Sequence, residues 1–268
     1  MSTGIIRASF DPVSKASLQQ VLALRKEHGF NRIILEVTEK GILPQNERLA
    51  LLKKAIRPFR KLSARKETKE EALDCTERFA EEEACIRGGH YRNAASGIRR
   101  DLAEQGLYLK ETVAACCKPK RAGHSLSAAN VSKELAEAHG LDGHKAWMAG
   151  CMHDLTKAWS DERGRAFLEI YEPDKVELDP KIYHSFTAPV FLKTVLGVED
   201  EIILNAVRNH TLGTVKNDYD RILYIADKIE PTRGYDVTKE MDLSRKDLRA
   251  GFDLVYHEAE QYRRKIDG

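Results

Sequence analysis

The sequence predicts two parts of different fold class, an α/β domain over residues 1–117 and an all-α domain over residues 118–268. Three observations carry this division. Residues 4–60 alternate strand-like and helix-like patterns, and such alternation builds a parallel sheet flanked by helices. From about residue 118 to the end, one helical pattern follows another with no convincing strand. Between them, "CKPKRAG" (117–123) carries Pro119 and Gly123, residue types that punctuate regular structure.

The elements follow in order. "GIIRASF" is a short apolar strand that ends in a turn at Asp11-Pro12. "SLQQVLALRKEHG" is helical, with Leu18, Val21, Leu22 and Leu24 along one side and Gly29 suited to the helix end. "NRIILEV" is a buried strand, and "ERLALLKKAI" returns to helix. Residues 61–92 are dense in charge and read as a solvated helix. The last stretch, from about residue 240, is helical, with Leu243, Leu248, Phe252 and Val255 placed to cover the bundle and His257 on the surface.

Composition narrows the function classes. A chain of 268 residues is long enough for two modest cores. Apolar content of 42% with 32% charged residues is ordinary for a globular protein. A net charge of +2 gives no electrostatic reason to expect a nucleic-acid partner. No apolar run approaches the roughly eighteen residues of a membrane span, and "MSTGIIRASFDP" lacks the regions of a secretory signal. The five cysteines are odd in number and lack zinc-type spacing, so reduced thiols in a cytoplasmic protein are expected. A homodimer is compatible with the sequence, which does not set the oligomeric state.

In the second part, five helical stripes each contain a ligand-type residue. His124 heads a face with Ala128, Val131, Leu135 and Ala138. His153 ends one formed by Ala146, Ala149 and Gly150, and His184 lines up with Ala188, Phe191 and Val195. His210 follows Ile202 or Ile203 and Ala206, and Asp227 sits four residues after Leu223 in an apolar segment. Any single histidine reads as well as a satisfied core residue. A buried carboxylate, however, needs a cation or strong hydrogen bonds. Imidazole and carboxylate together suit iron, manganese, cobalt or zinc, and the absence of cysteine from the set argues against structural zinc. Neighbours on a helix point about 100° apart, so His153 and Asp154 serve one site only at a helix end or with Asp154 bridging two ions.

The order H…HD…H…H…D resembles the HD-domain metal-dependent phosphohydrolases. "RAGHSLSAANVSKELAEAHGLDGHKAWMAGCMHDLTK", "YHSFTAPVFLKTVLGVEDEIILNAVRNHTLG" and "DRILYIADKIEPTRGYD" resemble the bacterial YqeK-type members, over roughly residues 118–245. That family is associated with symmetrical hydrolysis of diadenosine tetraphosphate. The resemblance implies a helical HD-type fold and two divalent transition-metal ions, iron first, with manganese or cobalt as alternatives. It implies His124, His153, Asp154 and Asp227 on one ion, and Asp154, His184 and His210 on the second. A metal-activated hydroxide would attack an inner phosphate of the dinucleoside polyphosphate and yield two ADP. Cations must neutralise the polyphosphate as charge shifts to the leaving group. Lys157, one turn beyond His153, is the first candidate for that role. Arg208, Lys228 and Arg233 follow, with Thr211 and Gly213 placed to let the backbone approach the substrate.

The front part resembles the bacterial nicotinate-nucleotide adenylyltransferases, a Rossmann-like fold whose pattern is G-G-[ST]-F-D-P-x-H-x-G-H. Ser9-Phe10-Asp11-Pro12 match, but the family's histidines fall on Ser14 and Ser17, the glycine between them on Ala16, and the opening glycines on Arg7-Ala8. The later I-S-S-T-x-I-R motif appears as "NAASGIR" (93–99). Serine has no charge to offer a departing pyrophosphate, so a degenerate nucleotidyltransferase-like domain is expected. The readings that stay open are the tetraphosphatase, an HD hydrolase for another nucleotide, adenylyl transfer by the front domain, and a non-catalytic nucleotide sensor.

Overall fold

The structure is a computed structural model and describes residues 2–267. It has two compact units. The first runs to Leu107 and takes in Val195–Gly197; the second comprises Tyr108–Thr194 and resumes at Val198. The division therefore falls ahead of the predicted 117/118 boundary. The stretch expected to separate domains instead opens a helix: Pro119 occupies its first turn, where a missing N–H costs nothing.

The first unit contains β1 (Thr3–Ala8), α1 (Lys15–Glu27), β2 (Arg32–Val37), α2 (Gln45–Ala55), β3 (Leu62–Lys66), β4 (Leu73–Asp74), α3 (Thr76–Arg87) and α4 (Arg99–Glu104). The strands form one parallel sheet in the order β3-β2-β1-β4. Ile6, Ala8, Ile33, Leu35 and Val37 are buried, so the apolar positions of the two central strands make the core. Residues 61–92 do not form the single solvated helix expected of them. They hold β3, β4 and a helix whose Phe79, Glu83 and Ile86 are buried. Their charges misled because several are paired rather than solvated. Glu36, fully buried on β2, receives Arg65 at 2.8 Å and Arg7 at 2.6 Å.

The turn after β1 is closed by its own side chains. Arg48, fully buried, donates to the carbonyls of Ser9, Leu43, Thr38 and Glu39 at 2.7–3.0 Å. The Asp11 carboxylate accepts from the backbone N–H of Ile42 and Leu43. Ser14 and Ser17, at the positions of the nucleotidyltransferase histidines, form a reciprocal capping box on α1.

The second unit is helical: α5 (Leu109–Cys116), α6 (Pro119–Ala138), α7 (Gly143–Met152), α8 (Asp161–Tyr171), α9 (His184–Phe191), α10 (Glu201–Asn209), α11 (Asp218–Ile229), α12 (Thr238–Lys246) and α13 (Leu248–Asp267). α11 is buried continuously from Ile222 to Asp227, the signature of a central helix. Its Ile222 and Ile225 pack with Val131 and Leu135 of α6 and with Leu248, Phe252 and Val255 of α13. α6 and α7 approach closely at Gly150, where a Cβ would lie 2.4 Å from Ala129 Cα. His257 is exposed, as expected. Among the described residues no helix is long and apolar enough to cross a membrane.

Candidate metal centre

Each candidate ligand stands where a helix begins, ends or is buried. His124 lies in the early turns of α6; His153 caps the C-terminus of α7 and Asp154 follows it; His184 opens α9; His210 caps α10; Asp227 lies within α11. The helix-end location resolves the geometric difficulty with the His-Asp pair, because the chain turns away from the helix after Met152. All six side chains are buried.

The four histidines converge on Asp154. Its Oδ2 lies 3.4 Å from His153 Nε2 and 3.9 Å from His124 Nε2. Its Oδ1 lies 3.5 Å from His184 Nε2 and 3.8 Å from His210 Nε2. Asp227 Oδ1 joins the first side, 3.0 Å from His124 Nε2 and 3.8 Å from His153 Nε2. Two overlapping sets result, His124–His153–Asp154 and Asp154–His184–His210, each with its ligand atoms mutually within 4.8 Å.

The surroundings suit cations. The Nδ1 atoms of His124, His153 and His210 lie 2.9, 2.7 and 2.6 Å from Glu230 Oε1, Gly150 O and Val207 O. These acceptors hold the ring protons on Nδ1 and turn the Nε2 lone pairs toward the carboxylates. The Nε2 atoms of His124 and His153 are buried without a hydrogen-bond partner. Lone pairs facing carboxylates at 3.0–3.9 Å call for a cation between them. His184 differs: its Nδ1 faces Lys157 Nζ at 3.0 Å, and that amine also donates to Lys181 O.

The charge states of Asp154, Asp227, His184 and His210 agree, while His153 is held toward its charged form by Asp154. Burial opposes ionisation of Asp154 and Asp227, but His153 beside Asp154 and Lys228 beside Asp227 hold both carboxyls well below the usual range. Burial, and then the neighbouring His210, push His184 down to about 2; burial and His153 push His210 down to about 4. Both are therefore neutral, ligand-ready imidazoles. For His153, burial disfavours charge, yet the Asp154 carboxylate holds the pKa above the ordinary histidine value. Burial lowers Lys157.

The expected phosphate-binding residues separate into groups. Lys157 reaches the cluster through His184. Thr211 Oγ1 lies 3.1 Å from His184 Nε2 and 3.0 Å from His210 Nε2. Lys228 and Arg233 pair with Asp227 at 2.5 and 3.0 Å. Arg208 is committed to Glu172 through both terminal guanidinium nitrogens. At Gly213 a Cβ would meet Tyr256 at 2.7 Å, and its φ is +69°. Two participants escaped the sequence reading. Arg121 pairs with Asp154 Oδ2 at 2.9 Å, and Glu230 holds His124. Glu230 carried one signal, its place three residues after Asp227 in "ADKIEPTR".

Comparison with known proteins places this region in a known family. The HD domain family matches residues 121–232, a span that includes all six residues. The symmetrical bis(5'-nucleosyl)-tetraphosphatase of Bacillus subtilis is 31% identical over 133 residues, covering 47% of this chain and 72% of that protein. The chain belongs to this family of HD-domain hydrolases. A probable nicotinate-nucleotide adenylyltransferase/Ap4A hydrolase of Mycoplasma pneumoniae is 28% identical over 177 residues, covering 63% of this chain and 51% of that protein. With its Mycoplasma genitalium counterpart, the chain spans about half the length of these fused relatives. The fold of the HD hydrolase appears in a crystal structure of a predicted HD superfamily hydrolase from Clostridium acetobutylicum. That likeness has a TM-score of 0.54 at 24% identity, over 60% of this chain and 87% of that one.

Proposed function

We propose that this HD hydrolase cleaves diadenosine tetraphosphate symmetrically to two ADP at a dinuclear metal centre. The observation that carries the reading is the two-sided environment of Asp154, with two histidines on each carboxylate oxygen. In this reading His124, His153, Asp154 and Asp227 hold one divalent ion, and Asp154, His184 and His210 hold the other. When bound, such a pair lowers the pKa of a coordinated water and neutralises phosphate charge. Iron is the proposed native metal; manganese and cobalt suit the same donors. The substrate class is supported by the relatives' names and by the cationic side chains around the centre.

The chain's own residues divide the remaining work. Lys228 and Arg233 keep Asp227 ionised and oriented. Glu230 holds the His124 tautomer that presents Nε2. Lys157 supplies a positive charge on the His184 side of Asp154, and Arg121 supplies one on the Oδ2 side. An inner phosphate between them would have a cation on either flank as charge moves to the leaving ADP. Thr211 places a hydroxyl between His184 and His210.

Asp154→Ala removes the residue shared by both ligand sets. Hydrolysis should fall to background, and metal analysis should find fewer than two ions per chain. Retained turnover in this variant would overturn the bridging role.

A further inference from the structure

A cavity of about 330 Å³ in the helical unit adjoins the candidate metal centre. It falls in the size range of small-molecule sites, ~300–1,000 Å³. Lys157 and His184 line it and also belong to the cluster around Asp154. The cavity and the cluster therefore share a wall.

The other lining residues differ in chemistry. They include the aromatic Trp159, the acidic Asp161 and Asp179, and a second cation, Lys181. The indole is braced: Phe167 and Phe191 meet it edge-on at 5.1 and 5.7 Å, and the Arg163 guanidinium lies 4.0 Å from its centroid. Asp161 opens α8 directly after the Ser160 cap, and Asp179 caps the short turn Pro180–Ile182. Both carboxylates are thereby set on local backbone structure.

This lining selects a ligand of mixed character. A bare polyphosphate gains from Lys157 and Lys181 but is repelled by Asp161 and Asp179 and leaves Trp159 unanswered. A purely apolar ligand gains from Trp159 but leaves the carboxylates and the lysines unanswered. A nucleoside joined to phosphates answers all of them. Its phosphates lie toward the Lys157–His184 wall, its base meets the indole, and its hydroxyl and amino donors meet the carboxylates.

We propose that this cavity is the subsite for one nucleoside of a nucleoside polyphosphate, with Trp159 as the wall against the base and Asp161 and Asp179 as acceptors. The proposal rests on the phosphohydrolase reading for the placement of the phosphates. It names a binding site that the metal ligands alone do not define.

The test compares ADP with inorganic pyrophosphate, which offers two phosphates without the nucleoside. The full-length protein, loaded with manganese, is titrated with each by calorimetry as wild type, Trp159→Ala, Trp159→Phe and Asp161→Asn. Trp159→Ala should weaken ADP by about tenfold or more, equivalent to ~1.4 kcal/mol, and leave pyrophosphate unchanged. Trp159→Phe should recover most of the loss, and Asp161→Asn should weaken ADP alone. Equal weakening of both ligands would show that Trp159 only shapes the metal centre and would overturn the subsite. Unchanged ADP binding in Trp159→Ala and Asp161→Asn would place the nucleoside elsewhere and overturn it equally. Trp159-dependent ADP binding by a protein that does not cleave diadenosine tetraphosphate would keep the subsite and remove the proposed substrate.

Discussion

At the scale of single residues, the candidate metal centre depends on which nitrogen of each imidazole carries the proton. Glu230, 1% exposed, sets that choice for His124. Glu230→Gln preserves the shape but exchanges a carboxylate for an amide. Manganese affinity, followed by electron paramagnetic resonance, should fall roughly 10–100-fold, the range for partners of metal-bound histidines. The circular dichroism spectrum should not change. Unchanged affinity would leave Glu230 as a packing residue. The histidines were legible in the sequence because each stood on an apolar stripe at helical spacing, where a polar side chain needs a reason. Arg121 and Glu230 were not, since the direction of a long charged side chain is not written in spacing. Arg208 shows the converse. It lies two residues before His210, about 200° around a helix, and its guanidinium pairs with Glu172.

At the scale of elements, the close packing of α6 on α7 brings His124 and His153 together. Gly150 permits that approach, since any Cβ there would strike the backbone of Ala129. Gly150→Val should destabilise the protein by about 1–3 kcal/mol, the usual cost of overpacking. It should also weaken metal binding, because Gly150 O holds the His153 ring. Denaturant unfolding with and without manganese checks both effects. β1 and β2 were readable as short apolar runs, and α1 from the apolar side it shows at helical spacing. The strand β3 was not, because Arg65 and Lys66 look like surface charge until Glu36 is known to receive Arg65. Nor was the start of α6, where Pro119 signals a break and in fact begins the helix.

In the first unit, α3 carries a buried carboxyl with a pH consequence. Glu83 is 3% exposed; burial pushes its pKa up, and the Ser9 hydroxyl bonded to it at 2.7 Å only partly offsets this. A carboxyl raised in the folded state contributes its stabilisation below the ordinary value of 4.5 and loses it as pH rises through the folded value. Glu83→Gln should therefore raise Tm at pH 8, by roughly 2–4 °C for a gain of about 1 kcal/mol. The gain should vanish near pH 4. A thermal-melt series over that range decides it, and an equal gain at both ends would contradict the assignment.

At the scale of the whole molecule, two units of different fold class occupy one chain, and their chemical resources are unequal. In the front unit, the residues standing at the nucleotidyltransferase histidine positions cap a helix, and Arg48 spends its hydrogen bonds on backbone carbonyls. In the helical unit, four buried histidines face the Asp154 carboxylate, and one of them also meets Asp227 at 3.0 Å. The catalytic claim therefore rests on the second unit. Its most direct test is the product distribution from diadenosine tetraphosphate. Protein loaded anaerobically with iron(II), and in parallel with manganese or cobalt, is given the substrate and the nucleotides are separated. The account predicts ADP as the sole nucleotide product, lost on chelation of the metal. AMP with ATP, or no turnover with any of the metals, would contradict it.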